Sequence, residues 1–290
     1  MKTVSFFLIV LSLQAFSMDK AVYGFDDRKE VYEAPAFLSE LARSTAAMMT
    51  KDKIKKSPSG NFKIYHNPSV GSSFNLCKDA RFYSQPTTSD CSGFLLGPDL
   101  IATAGHCIRS KSDCTSGYWV FDYDVARDGT VKNEVSSDNV YLCKEIIVTK
   151  LDSKTKADFA LIRLERSVVN RKPLSFRTQG DVDLKEELVA IGHPSGMPTK
   201  IADHGSVRPN GDSPLFFQAN LDTFVGNSGS VVLDAQTGVV EGILVRGEKD
   251  YEWDTERGCN MPNICSEGQC RGEDVSRISN LLPYLKATNK

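Results

Sequence analysis

Three short stretches carry side chains that together can activate a hydroxyl for attack on an acyl carbon. Gly226-Asn227-Ser228-Gly229-Ser230 sets a serine between glycines, and Thr103-Ala104-Gly105-His106-Cys107 offers an imidazole. Ala157-Asp158-Phe159-Ala160-Leu161-Ile162-Arg163-Leu164 puts a carboxylate at the head of an apolar run. A serine hydroxyl is a poor nucleophile at neutral pH until a base takes its proton. That base must in turn be held in one tautomer and orientation by a third group. Ser228, His106 and Asp158 fit those roles. A tetrahedral oxyanion also needs backbone N–H groups aimed at it, and chain without a Cβ turns them inward most easily, so the N–H groups of Gly226 and Ser228 are the candidates.

Each stretch alone is a weak signal. A glycine-flanked serine is a common loop, and an Asp before an apolar strand is usually a turn residue. The remaining histidines, His66, His193 and His204, read as satisfied core residues. The nucleophile elbow of α/β-hydrolases is excluded, because it needs Gly where Ser230 stands and runs in the order Ser, acid, His.

The elements that must position these residues read as strands. Short apolar runs at Ser92–Leu96, Leu100–Ala104, Tyr118–Tyr123, Leu142–Val148, Phe159–Leu164, Leu188–Gly192, Leu215–Leu221, Ser230–Leu233 and Val239–Val245 are separated by breakers. These include Gly97-Pro98, Asp128-Gly129, Asn210-Gly211 and Thr237-Gly238. Many short strands without intervening helical periods favour an all-β sandwich or barrel. Two helical periods flank them. One spans Ala34 to Met49, and the other is a tail helix built on Val275, Ile278, Leu281, Leu282 and Leu285, with Pro283 weakening its last turn. The lysine-rich run Lys51 to Lys56 reads as an exposed linker.

Thr-Ala-Gly-His-Cys, Asp-Phe-Ala-Leu-Ile-Arg-Leu and Gly-Asn-Ser-Gly-Ser resemble the histidine, aspartate and serine motifs of trypsin-like serine peptidases, in that family's own order. The resemblance runs from about Cys77 to Gly247. Val22-Tyr23-Gly24-Phe25-Asp26-Asp27-Arg28 is also similar to the N-terminal region of bacterial glutamyl-endopeptidase-like members. The resemblance implies two six-stranded antiparallel β-barrels around a cleft, here with a C-terminal α-helix and an N-terminal arm. It implies His106, Asp158 and Ser228 as base, orienter and nucleophile of an endopeptidase. It also implies a Cys91–Cys107 bridge pinning the histidine loop, which contributes about 3 kcal/mol in the chain-entropy account. The rival reading is a binding module that keeps the fold without turnover.

Departures from the family pattern bear on activation and specificity. Asn227 stands where pancreatic-type members carry an aspartate that receives a newly cut N-terminus, so that ion-pair switch is not expected. Asp222 lies six residues before Ser228, where such members floor the primary pocket, and offers an anion to Arg or Lys side chains. Arg246 replaces the usual aromatic and offers a cation to acidic ones. Glutamate-specific relatives carry a histidine on the strand ending near Val245, and none stands there. Thr223, Val245 and Gly247 complete the expected substrate contacts, with Gly247 leaving backbone to pair with an extended peptide. The two charges oppose each other, so specificity stays open at this level.

The whole chain fits an exported protein. Lys2, the apolar run Val4 to Leu13 and Ala15-Phe16-Ser17 make a secretory signal with cleavage expected after Ser17. That run is far short of the ~20 residues a membrane span needs. Eight cysteines and no Cys-x-x-Cys pair point to disulfides in a secreted or periplasmic protein rather than to metal. No cofactor is called for. A net charge of -2 gives no reason to invoke nucleic acid, leaving a protein or peptide substrate and a monomer as the expectation. The organisation expected is a signal over 1–17, an arm or pro-segment over 18–60 and a peptidase domain over 61–290. Within that domain the barrels fall at about 61–170 and 171–272, with the helix at about 273–286.

Overall fold

The computed structural model describes residues 21–66, 68–184, 186–209, 213–266 and 270–288. The expected signal and its cleavage point lie outside them. Twelve strands carry the architecture. The first barrel uses β1 (Thr45–Thr50), β2 (Cys91–Gly97), β3 (Leu100–Thr103), β4 (Gly117–Phe121), β5 (Val140–Leu151) and β6 (Asp158–Leu164). They close in the order β5-β6-β3-β2-β1-β4 through antiparallel pairs. The second uses β7 (Glu187–Gly192), β8 (Lys200–Arg208), β9 (Phe216–Asn220), β10 (Val231–Asp234), β11 (Val240–Arg246) and β12 (Glu273–Arg277). They run β7-β10-β11-β12-β9-β8 and close through β8 on β7. The protein is mostly β, with two closed six-stranded antiparallel barrels, as the motifs implied.

Contiguous buried apolar runs build the cores. β2, β3 and β6 bury Phe94, Leu95, Ile101, Ala160, Leu161 and Ile162, against which Val231, Leu233 and Ile243 of the second barrel also pack. One apolar cluster therefore spans the seam between barrels. Closure removes sheet edges, which suits strands so uniformly apolar.

Three expectations need correction. The helix read over Ala34 to Met49 stops at Ala42, and Thr45–Thr50 becomes β1, paired on both sides. Ala46, Ala47 and Met49 are good helix formers, but burial between β2 and β4 overrides propensity. The segment expected as an arm over 18–60 thus supplies a barrel strand, and removing it would open that barrel. Lys51 to Lys56 is not a plain linker either, since Ile54–Lys56 pairs with Phe62–Ile64 and Ile54 is buried. Finally, Val275 lies in β12 and not in the tail helix, which is confined to Leu282–Thr288 after a 3-10 turn at Ile278–Leu281.

Earlier parts of the N-terminal segment pair with the second barrel and the loop that follows β11. Lys29–Glu30 adds to the edge of β8, and Val22–Tyr23 pairs with Ile264–Cys265. Disulfides follow the expected Cys91–Cys107 pairing, and the others are Cys77–Cys259, Cys114–Cys143 and Cys265–Cys270. Cys77–Cys259 closes a loop of 182 residues, joining the stretch before β2 to the hairpin Tyr251–Pro262 after β11.

Candidate active site

His106 sits in the 3-10 turn Gly105–Cys107 immediately after β3. That turn seats on β5 only because residue 105 lacks a side chain: a Cβ there would lie 2.0 Å from the Lys150 carbonyl oxygen. Asp158, the first residue of β6, is 3% exposed and grips the turn twice. Its Oδ2 accepts from His106 Nδ1 at 2.8 Å and its Oδ1 accepts from the His106 backbone N–H at 3.0 Å. An ionised carboxylate only accepts hydrogen bonds, so the ring proton is on Nδ1 and Nε2 presents a lone pair. Nε2 is buried and has no protein partner among the described residues.

The serine loop of the second barrel meets the histidine loop at the seam. Ser228 is 1% exposed, and its Oγ is likewise buried without a protein partner among the described residues. Its carbonyl accepts from Ser92 N–H at 2.8 Å and lies 3.7 Å from Cys107 Sγ. The nucleophile candidate therefore docks against the Cys91–Cys107 bridge, beside His106. That bridge also accounts for a close grouping of Cys91, His106 and Cys107, whose two sulfurs are consumed by the disulfide and offer a metal no thiolate.

Backbone orientation at the candidate oxyanion donors follows from trans peptide geometry, in which C=O and N–H point opposite ways. The Val225 carbonyl is held by Ser195 N–H and the Asn227 carbonyl by Ser230 N–H at 2.8 Å. The N–H groups of Gly226 and Ser228 are thereby turned the other way. Gly226 takes φ 90°, which favours glycine, and a Cβ there would meet the His193 carbonyl at 2.6 Å. Ser92 Oγ, fully buried, donates to the Gly226 carbonyl at 2.8 Å and accepts the His193 N–H at 3.0 Å. Asn227 is buried, and its side-chain oxygen accepts from Ser230 Oγ at 2.8 Å.

Of the expected core histidines, His193 is fully buried, bonded through Nδ1 to the Met197 carbonyl at 3.1 Å. Burial, with the Lys200 ammonium nearby, holds its pKa down at about 3. His66 meets the Lys132 carbonyl at 2.9 Å. His204 is a correction: its side chain is 79% exposed on β8, where its backbone takes a φ of 63°.

The expected substrate residues divide. Asp222 is 4% exposed, and both its carboxylate oxygens are capped by the N-terminal segment, Oδ1 by Tyr23 N–H at 2.7 Å and Oδ2 by Asp27 N–H at 2.8 Å. Burial raises its pKa, and burial together with the Asp222 charge raises that of Asp27. Thr223 Oγ1 donates to Glu273 Oε2 at 2.8 Å. Glu273 went unrecognised in the sequence, yet its carboxyl presses on Gly247, where a Cβ would lie 1.9 Å from Oε2. The Gly247 carbonyl, expected to face a peptide, accepts from Arg271 Nη1 at 3.2 Å. Val245 is buried in the cross-barrel core. The Arg246 guanidinium turns back into the protein: Nε donates to Asp274 Oδ2 at 2.7 Å and Nη2 to the Lys156 carbonyl at 2.9 Å, while Nη1 lies 3.7 Å from Asp158 Oδ2.

A comparison with curated protein sequences finds no match. Among solved structures, a Glu endopeptidase determined in complex with MPD is similar, with a TM-score of 0.52 and 19% identity over 92% of this chain and 98% of that one. That likeness establishes the fold as chymotrypsin-like. The model of the trypsin-like peptidase domain matches residues 91–243, a span that holds all three motifs and more than half of the chain. The chain is therefore a member of the trypsin-like peptidase domain family.

Proposed function

We propose that this chain is a secreted serine endopeptidase that cleaves peptide bonds through an acyl-enzyme on Ser228. The observation that carries this reading is the double grip of Asp158 on His106, which leaves a buried basic Nε2 at the seam that also buries the Ser228 hydroxyl. In the first step His106 Nε2 takes the hydroxyl proton as Oγ attacks the scissile carbonyl. The N–H groups of Gly226 and Ser228 stabilise the oxyanion, and Asp158 stabilises the imidazolium. His106 then gives the proton to the leaving amine. Water, deprotonated by the same nitrogen, hydrolyses the ester and restores the hydroxyl. Serine–histidine bonds that are slack in a free enzyme tighten when substrate excludes water.

Export is supported by the N-terminal leader pattern and by the pairing of all eight cysteines. For the primary pocket we favour Arg or Lys. The guanidinium of Arg246, the cation that would draw an acidic side chain, is committed to Asp274 and the Lys156 carbonyl.

The test is fluorophosphonate labelling. The folded protein should label at Ser228, and Ser228→Ala should lose both the label and casein cleavage. A folded, unlabelled wild type would instead make this a silent binding module. Tetrapeptide substrates varying at P1 then test the pocket, and faster cleavage after Glu or Phe than after Arg or Lys would refute the basic preference.

A further inference from the structure

Arg246 occupies an unusual place for a cation. It lies at the end of β11, on the strand leading to the substrate edge, yet its guanidinium points inward and is 16% exposed. Asp274, its register partner on β12, anchors it at 2.7 Å and is itself held through Oδ1 by Arg271 at 2.6 Å and Gln218 at 3.0 Å. The Lys156 carbonyl fixes Nη2, so two of the three nitrogens are held by hydrogen bonds, and the third, Nη1, lies 3.7 Å from Asp158 Oδ2. That oxygen is the one that receives His106 Nδ1–H. From this geometry we infer that Arg246 is a positioning residue, acting through Asp158 on the histidine and not on the substrate.

Its effect follows from charge. When His106 takes the serine proton it becomes a cation, and the attraction of Asp158 for that cation is what keeps the proton there. Arg246 offsets part of the Asp158 charge, so it weakens that hold. The other charged groups facing the pair are Arg109, whose Nε donates to the His106 carbonyl at 3.0 Å, and Asp274 with Arg271 behind Arg246. Lys156 meets Arg246 through its backbone carbonyl.

This inference rests on the proposed catalytic roles, so its test has one arm that needs no turnover. In a Ser228→Ala background, the His106 ring is titrated by NMR with Arg246 intact and with Arg246→Gln. The midpoint should move to higher pH by about one unit, the lower end of what one neighbouring charge produces. In the active enzyme, the pH at which kcat/KM rises should move up by the same amount, while Arg246→Lys, which keeps the charge, holds it near its original position. Arg246→Met serves as a second neutral variant should Gln at 246 not fold. An unmoved midpoint in a folded neutral variant overturns the inference. So does a selective loss of activity on acidic peptides with the profile unmoved, which would make Arg246 a substrate contact. A wild type that never labels at Ser228 would refute the endopeptidase reading alone, and the NMR arm would still decide this one.

Discussion

His193 should make the protein labile to mild acid, and the size of the effect can be worked from its surroundings. The ring is fully buried against Tyr123 and bonded to the Met197 carbonyl, and its pKa is held at about 3 against an ordinary 6.5. Above pH 6.5 both folded and unfolded chains keep it neutral. As pH falls from 6.5 towards 3 the unfolded chain takes up a proton that the folded one refuses, so stability is lost throughout that window. At pH 5 the difference amounts to about 2 kcal/mol. His193→Asn retains a donor for the Met197 carbonyl and removes the titration. Urea unfolding at pH 7 and pH 5 should show the wild type losing about 2 kcal/mol more than the variant between the two conditions. Asp27 and Asp222, with raised pKa values, oppose this trend in both proteins and cancel in the difference. Equal losses in the two proteins would refute the reasoning.

Other perturbations probe the seam and the N-terminal segment. Ser92→Ala deprives the Gly226 carbonyl and the His193 N–H of their shared hydroxyl, and should cost about 1–3 kcal/mol in stability. It should also slow fluorophosphonate labelling of Ser228, and an unchanged labelling rate would show that the Gly226 peptide is fixed without Ser92. Glu30→Ala leaves the Lys200 ammonium, 3.0 Å away and nearly fully buried, without its counter-charge. Denaturant unfolding at pH 7 should register a loss of about 3–5 kcal/mol, and a loss under 1 kcal/mol would mean that the Gln85 and Pro198 oxygens suffice.

What could be read from the chain was whatever repeats locally. β2, β3 and β6 are contiguous apolar runs with Gly, Pro or Asp at their ends, and the serine, histidine and aspartate stretches adjoin such runs. The strands that escaped notice break that pattern. β1 is rich in Ala and Met, β8 carries Lys200, Asp203 and His204, and β12 opens with Glu273 and Asp274. Each is a strand because of its neighbours in space, and where charges are buried, as in β8, they are satisfied by groups far away in sequence, as Lys200 is by Glu30. The same limit hid the surroundings of the site. That Asp222 is capped by Tyr23 and Asp27, and that Arg246 reaches Asp158, depends on register between distant strands, which no local motif encodes.

Because Lys29–Glu30 extends the sheet of one barrel while Thr45–Thr50 completes the other, a single stretch of chain straps the two together. The Cys77–Cys259 link adds a covalent tie. Ties of this kind oppose the opening of one barrel away from the other. On the proposed endopeptidase reading, a polypeptide then has to present a locally unfolded, extended segment to Ser228, and tightly folded proteins should resist attack until a loop or terminus frays.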